Sequence, residues 1–133
     1  MKYEPAPDIQ GKMEEFSRVL FPHVKVDRVK CFRSYGSSSR NTIARCHTIG
    51  KLMQMAIGVK AWYALEFLSK RFDKLSEEEQ DKTIIHELMH IPKTFGGGFR
   101  QHDFVCDKNI NLFYKMYKTK KDSVEKIGKS WKI

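Results

Sequence analysis

Three histidines, one glutamate and three consecutive glycines fall within the twenty-one residues IIHELMHIPKTFGGGFRQHDF, 84–104. His86 and His90 are four apart, so on a helix both imidazoles leave one face a turn apart, near enough to share a single ion. Glu87 sits beside them. Two neutral imidazoles can hold a divalent metal, and a neighbouring carboxylate can take a proton from water at that metal, which is the chemistry of metal-assisted hydrolysis. Zinc is the expected ion, although imidazole ligands also accept iron, cobalt or nickel. The competing reading is a helix whose histidines are merely solvated or bonded to backbone.

Two histidines do not complete a catalytic zinc site, which generally takes three protein ligands and leaves a position for water. His102 is the expected third ligand, with Asp103 and Asp107 as competitors. Pro92 must end the helix, and Gly96, Gly97 and Gly98 allow positive φ and a sharp return, so the eleven residues between His90 and His102 can bring the chain back across the site. His23 follows a Phe-Pro turn and His47 lies in an expected strand; neither has ligand spacing. Arg100, Tyr35 and Tyr114 are side chains that could stabilise an oxyanion, without a spacing that selects among them.

These residues need a rigid frame, and the pattern around them supplies one. Ser76 followed by Glu79 matches a capping box, acidic residues fill the first turn, and Ile84, Ile85, Leu88 and Met89 cover the side of the helix opposite the histidines. Before this helix, AWYALEFLS (61–69) reads as a strand with Tyr63, Leu65 and Phe67 alternating. It is expected either to border the cleft, where an extended substrate could add to its edge, or to be a fully paired core strand. DRVKCFRS and NTIARCHTI read as two further strands separated by a Gly/Ser-rich loop, and KLMQMAIG (51–58) as a helical turn closed by Gly58. Residues 7–20 carry Ile9, Met13, Phe16, Val19 and Leu20 at helical spacing behind Asp8, a candidate N-cap. A last helix is expected from about Asp103 to Lys118. The order is helix, strand, strand, strand, helix, helix: an α+β fold with a small mixed or antiparallel sheet, a helix carrying HELMH and a C-terminal helix.

At 133 residues one domain is expected over 1–133, with 119–133 as a basic C-terminal tail, and such a chain can bury enough surface to fold without a metal. No apolar run approaches a membrane span and no apolar segment follows the charged start, so a cytoplasmic location is expected and a membrane partner is not. Cys31, Cys46 and Cys106 are widely spaced and odd in number, which argues for reduced, mostly buried thiols. The net charge of +9 is unevenly placed: residues 1–25 sum to zero, 26–60 to +6, 61–107 to −3 and 108–133 to +6. Positive charge on both sides of an acidic segment makes nonspecific nucleic acid a candidate partner; the plainer reading is solubility.

The helix motif HELMH, the glycine-containing loop, the later HDF and the strand before the motif resemble the SprT-like and Spartan group of zinc metallopeptidases. The stretch from CFRSYGSSSR through HELMHIPKTFGGGFRQHDF is more similar to the small metallopeptidases of archaea and their viruses, over roughly residues 27–107. The resemblance implies a minimal zincin-like domain in which His86, His90 and His102 bind Zn2+ and Glu87 is the general base. It implies a protein or peptide substrate, and crosslink repair on DNA-associated proteins as one setting. The return from His90 to His102 is longer than that of metzincins and no methionine turn follows, which disfavours that class. Two functions therefore stand: a zinc endopeptidase, and a basic nucleic-acid-binding module with a non-catalytic structural metal. An intact Glu87 favours the first, because a purely structural site needs no base and closes with a fourth protein ligand.

Overall fold

Six residues, YALEFL, put Tyr63, Leu65 and Phe67 on one face and Ala64, Glu66 and Leu68 on the other, and all but Ala64 are buried. In the computed structural model, which describes residues 1–101 and 103–131 with side chains through Asp122, they form the central strand. The elements in chain order are β1 (Lys2–Pro5), α1 (Pro7–Leu20), a 3-10 turn (Val26–Arg28), β2 (Val29–Tyr35), β3 (Ala44–Thr48), α2 (Lys51–Ile57), β4 (Tyr63–Leu68), α3 (Ser69–Phe72), α4 (Glu77–Met89) and α5 (Asp107–Trp131). The four strands make one sheet in the order β1-β2-β4-β3. β4 runs parallel to β2, with Leu65 opposite Cys31, and antiparallel to β3, with Leu65 opposite Cys46; β1 runs antiparallel to β2. The fold is α+β with a small mixed sheet, as the sequence led us to expect.

Of the two readings of β4, the fully paired core strand is the one observed. Both of its edges are hydrogen-bonded, so it cannot accept an added substrate strand, and β3 occupies that end of the sheet. Besides the 3-10 turn at Val26–Arg28, two elements were not anticipated. KYEP has no alternation and carries two charges, yet it forms β1 because β2 pairs with it; α3 is a single turn that carries the chain off β4.

Tyr63, Leu65 and Phe67 share a face with Val29 and Cys31, and this face meets α1, α4 and the start of α5 in one core. Ile9, Met13, Phe16 and Leu20 are the buried stripe of α1, and the Phe16 ring meets Tyr117 of α5 edge-on at 4.8 Å. Gln10 fastens α1 to β2, donating to the Val29 carbonyl at 2.9 Å and accepting from the Cys31 amide at 2.8 Å. Asp8 is not the N-cap. Ala6 holds that position without a side-chain bond, while Asp8 accepts both guanidinium nitrogens of Arg33 at 2.7 and 2.8 Å, an outlet that a local capping rule does not see.

α4 begins where expected: the Ser76 hydroxyl accepts the Glu79 amide at 3.2 Å and donates to the Glu79 carboxylate at 3.0 Å. Three glutamates in the first turn add favourable charge at the positive end of the helix dipole. α5 starts at Asp107 rather than Asp103, whose carboxylate instead accepts the Phe104 amide. Its backbone continues past Lys118 to Trp131 through Lys-rich sequence, since lysine is a good helix former. Among the described residues no helix is long and apolar enough to cross a membrane.

Candidate functional site

The spacing of HELMH and the stop imposed by Pro92 put His86 and Glu87 in the last turn of α4 and His90 at its C-cap. Ile84, Ile85, Leu88 and Met89 are all at 1% exposure or less, and burying each is worth about 1.5–3 kcal/mol. The opposite side of the helix is thereby held facing an open cleft of about 560 Å³, whose floor carries His86, Glu87 and His90. Residues 41–46, at the start of β3, form one wall, and Phe99, Arg100 and Gln101 form another. The two imidazole centroids are 5.2 Å apart, a separation at which one ion can reach both rings.

His90 is oriented by a clasp with the returning chain. Its ring Nδ1 lies 3.0 Å from the Arg100 carbonyl oxygen, and its own carbonyl accepts the Arg100 amide at 2.8 Å. A carbonyl oxygen only accepts, so Nδ1 carries the hydrogen and the lone pair of the neutral ring lies on Nε2. Metal-ligating histidines are commonly fixed in this way, with one ring nitrogen donating to a backbone carbonyl.

The glycine loop that makes the clasp is locked against the sheet and α2. The Tyr63 hydroxyl accepts the Gly97 amide at 3.0 Å and donates to the Gly98 carbonyl at 2.9 Å. Gln54 donates to the carbonyls of Ile49 at 2.7 Å and Gly96 at 3.0 Å. Gly97 has φ of 101°, and a Cβ there would lie 2.3 Å from Gln54 Nε2 and 2.5 Å from the Ile49 carbonyl oxygen, so only glycine fits. Of the three glycines only Gly97 has positive φ; the other left-handed residue of the return is Phe95, at 48°. Phe95 packs on Tyr63 at 5.0 Å between ring centroids, which holds it in that conformation.

Glu87 is 5% exposed, and burial pushes its carboxyl up to about 7. A carboxyl in that range can both take and return a proton near neutral pH. Cys46, half-buried on the β3 wall, is also pushed well up, first by burial and then by the charge of Glu87, which keeps it a thiol. All three cysteines are free; Cys31 is buried and the other two are half-buried.

His86, Glu87 and His90 thus meet in one cleft as their spacing predicts. His102, the expected third ligand, lies outside the described residues. The chain is nevertheless carried back as far as Gln101, which lines the same cleft. Among the described residues no three His, Cys, Asp or Glu side chains form a metal-holding group. His23 reaches the Ile91 carbonyl at 3.0 Å and His47 reaches Glu66 at 2.8 Å, both away from the cleft. Of the three oxyanion candidates only Arg100 lines the cleft, with its guanidinium 3.6 Å over the Phe104 ring.

Sequence reasoning missed the β3 wall, because nothing local marks which strand becomes the neighbour of α4. It also missed Thr83 in the cleft lining, although that residue precedes His86 by three and Glu87 by four and so shares their face. A family model described as "Putative phage metallopeptidase" matches residues 1–131. No curated protein and no solved structure matches the chain.

Proposed function

The chain belongs to this phage metallopeptidase family, and on that premise we propose that it is a zinc-dependent endopeptidase whose active site is the cleft between β3 and α4. The observation that carries the reading is the joint placement of His86, His90 and a buried Glu87 on one rigid helical face, with His90 already oriented by the Arg100 carbonyl. Family membership implies a metal and a protein substrate. Zinc suits a donor set of neutral imidazoles, and the likeness of HELMH and HDF to SprT-like enzymes points the same way.

His86, His90 and His102 would hold the ion. When bound, zinc would acidify a water molecule and polarise the scissile carbonyl. Glu87 takes the proton of the attacking water and later returns it to the leaving amine; its raised carboxyl suits both steps. β3 ends the sheet on the cleft side, so an extended peptide would lie along its outer edge by main-chain hydrogen bonds, the role that β4 cannot fill. Arg100 is the oxyanion candidate that lines the cleft. Substrates held on DNA fit the two +6 segments. The alternative, a nucleic-acid-binding module with a structural metal, leaves the buried base in an open cleft without a task.

Metal analysis of the purified protein tests the site. One zinc per chain is expected, with binding lost in His86→Ala and His90→Ala, and weakened more by His102→Ala than by Asp103→Ala or Asp107→Ala. Absence of a stoichiometric ion, or parent-like binding by His86→Ala, would refute the assignment; the reverse order among the last three would move the third ligand.

A further inference from the structure

Partners in the strand register share a face, so Tyr3, Lys30, Phe32, Arg45, His47 and Glu66 all lie on the side of the sheet opposite the core. Trp62, one residue before Tyr63, falls on that side as well. This surface differs from an ordinary solvated sheet face. Tyr3 is 57% exposed and Trp62 37%, Phe32 is half-buried between the strands, and Lys30 and His47 are exposed. Glu66 is the one carboxylate at these paired positions. It is 3% exposed and accepts from His47 Nε2 at 2.8 Å and Arg45 Nη1 at 3.4 Å, so its oxygens are covered by the His47 ring and the Arg45 guanidinium.

Two shallow hollows adjoin across Phe32 and His47. One, of about 250 Å³, is bordered by Trp62 and Lys30; the other, of about 380 Å³, is bordered by Tyr3 and Glu66. Strand and turn residues alone line both. Ala61 and Lys60, just before Trp62, lead into a third hollow shared with Lys25, Arg28 and Lys51, whose lining contains no carboxylate. Of the seven cations in residues 26–60, Lys30 and Arg45 lie on this face and Arg28, Lys51 and Lys60 in the third hollow; Arg33 is turned inward to Asp8 and Asp73, and Arg40 lies in the loop before β3.

We propose that the outer face of the sheet is a binding site for single-stranded nucleic acid, with bases stacked on Tyr3, Phe32 and Trp62 and phosphates met by Lys30, Arg45 and the Lys51/Lys60 hollow. Aromatic side chains beside shallow hollows offer stacking partners to unstacked bases, which a duplex does not present, and interleaved cations follow a phosphate backbone. A polyanion fits because the one carboxylate here is buried and paired. Arg45 also lines the catalytic cleft, so a strand bound here lies next to the edge of β3.

The test is anisotropy of a fluorescein-labelled oligothymidylate of about 20 nucleotides titrated with the whole chain, a length within reach of a few stacking and phosphate contacts. Glu87→Gln must bind like the parent, so the result does not depend on hydrolysis. Lys30→Glu should weaken binding about tenfold and flatten the slope of log K against log salt by about 0.7 per lost phosphate contact. Tyr3→Ala should weaken it about fivefold or more, the scale of one lost stacked base. Lys115→Glu on α5, the same charge change at an exposed position, should stay within about twofold, as expected for a residue outside the contact. With Trp131→Phe as background, Trp62 becomes the one tryptophan of the chain and its fluorescence should be quenched on binding. No binding at low salt, preference for duplex over single strand, parent-like binding by both Lys30→Glu and Tyr3→Ala, or a loss confined to Lys115→Glu would each overturn the proposal.

Discussion

Along α4, Ile84, Ile85, Leu88 and Met89 on one side are at 1% exposure or less, whereas Glu87 on the other is at 5% and stands between two partly exposed histidines. Five consecutive residues, HELMH, contribute to both sides. The apolar pair in the middle of the motif is what makes the outward trio rigid, because it docks α4 on the sheet while the residues around it turn toward the cleft. Stability and chemistry are thus separated by roughly half a turn of helix, and substitutions on the two sides should have different signatures.

The largest stability effect belongs to the inner side. Leu88 has no exposed surface, and Leu88→Ala should cost about 2–5 kcal/mol in denaturant unfolding, through lost burial and the cavity left behind. Metal content per folded molecule should not change. A cost below about 1 kcal/mol, or a loss of metal in the folded fraction, would mean that the two sides are not separable.

A smaller effect is expected where the frame of the cleft is fixed from outside the helix. Gly97→Ala forces a side chain into positive φ against Gln54 and the Ile49 carbonyl; the cost should be about 1–3 kcal/mol. Because this loop delivers Arg100 to His90, the variant should also bind metal more weakly than the parent, which Leu88→Ala should not. Unchanged metal affinity would separate the glycine return from the site and restrict its role to folding.

The same division explains what could be read from the sequence. α1 and α4 were legible because their stripes, the Ser76/Glu79 box and Pro92 are local, and the trio His86, Glu87 and His90 was legible because one helical turn decides it. β4 was recognised as a strand from its alternation, but its place inside the sheet depends on β2, 34 residues before it, and on β3, 15 to 23 residues before it, and so whether its edge was free could not be read locally. β1 forms only because β2 is there to pair with it. Asp8 looked like a cap because Arg33, its actual partner, lies 25 residues on. The left-handed turn at Phe95 was hidden for the same reason: its support comes from the Tyr63 ring.

The catalytic assignment of Glu87 is tested most directly by Glu87→Gln, which keeps the size of the side chain and removes the base. Digestion of an unfolded protein such as casein, with and without single-stranded DNA, should be compared for the parent, Glu87→Gln and metal-stripped protein, with metal content measured on each. Cleavage by the parent, reduced roughly a hundredfold or more in Glu87→Gln at unchanged zinc content, is the result expected for a lost general base. Equal cleavage by the parent and Glu87→Gln, or loss of the metal together with the activity, would contradict it.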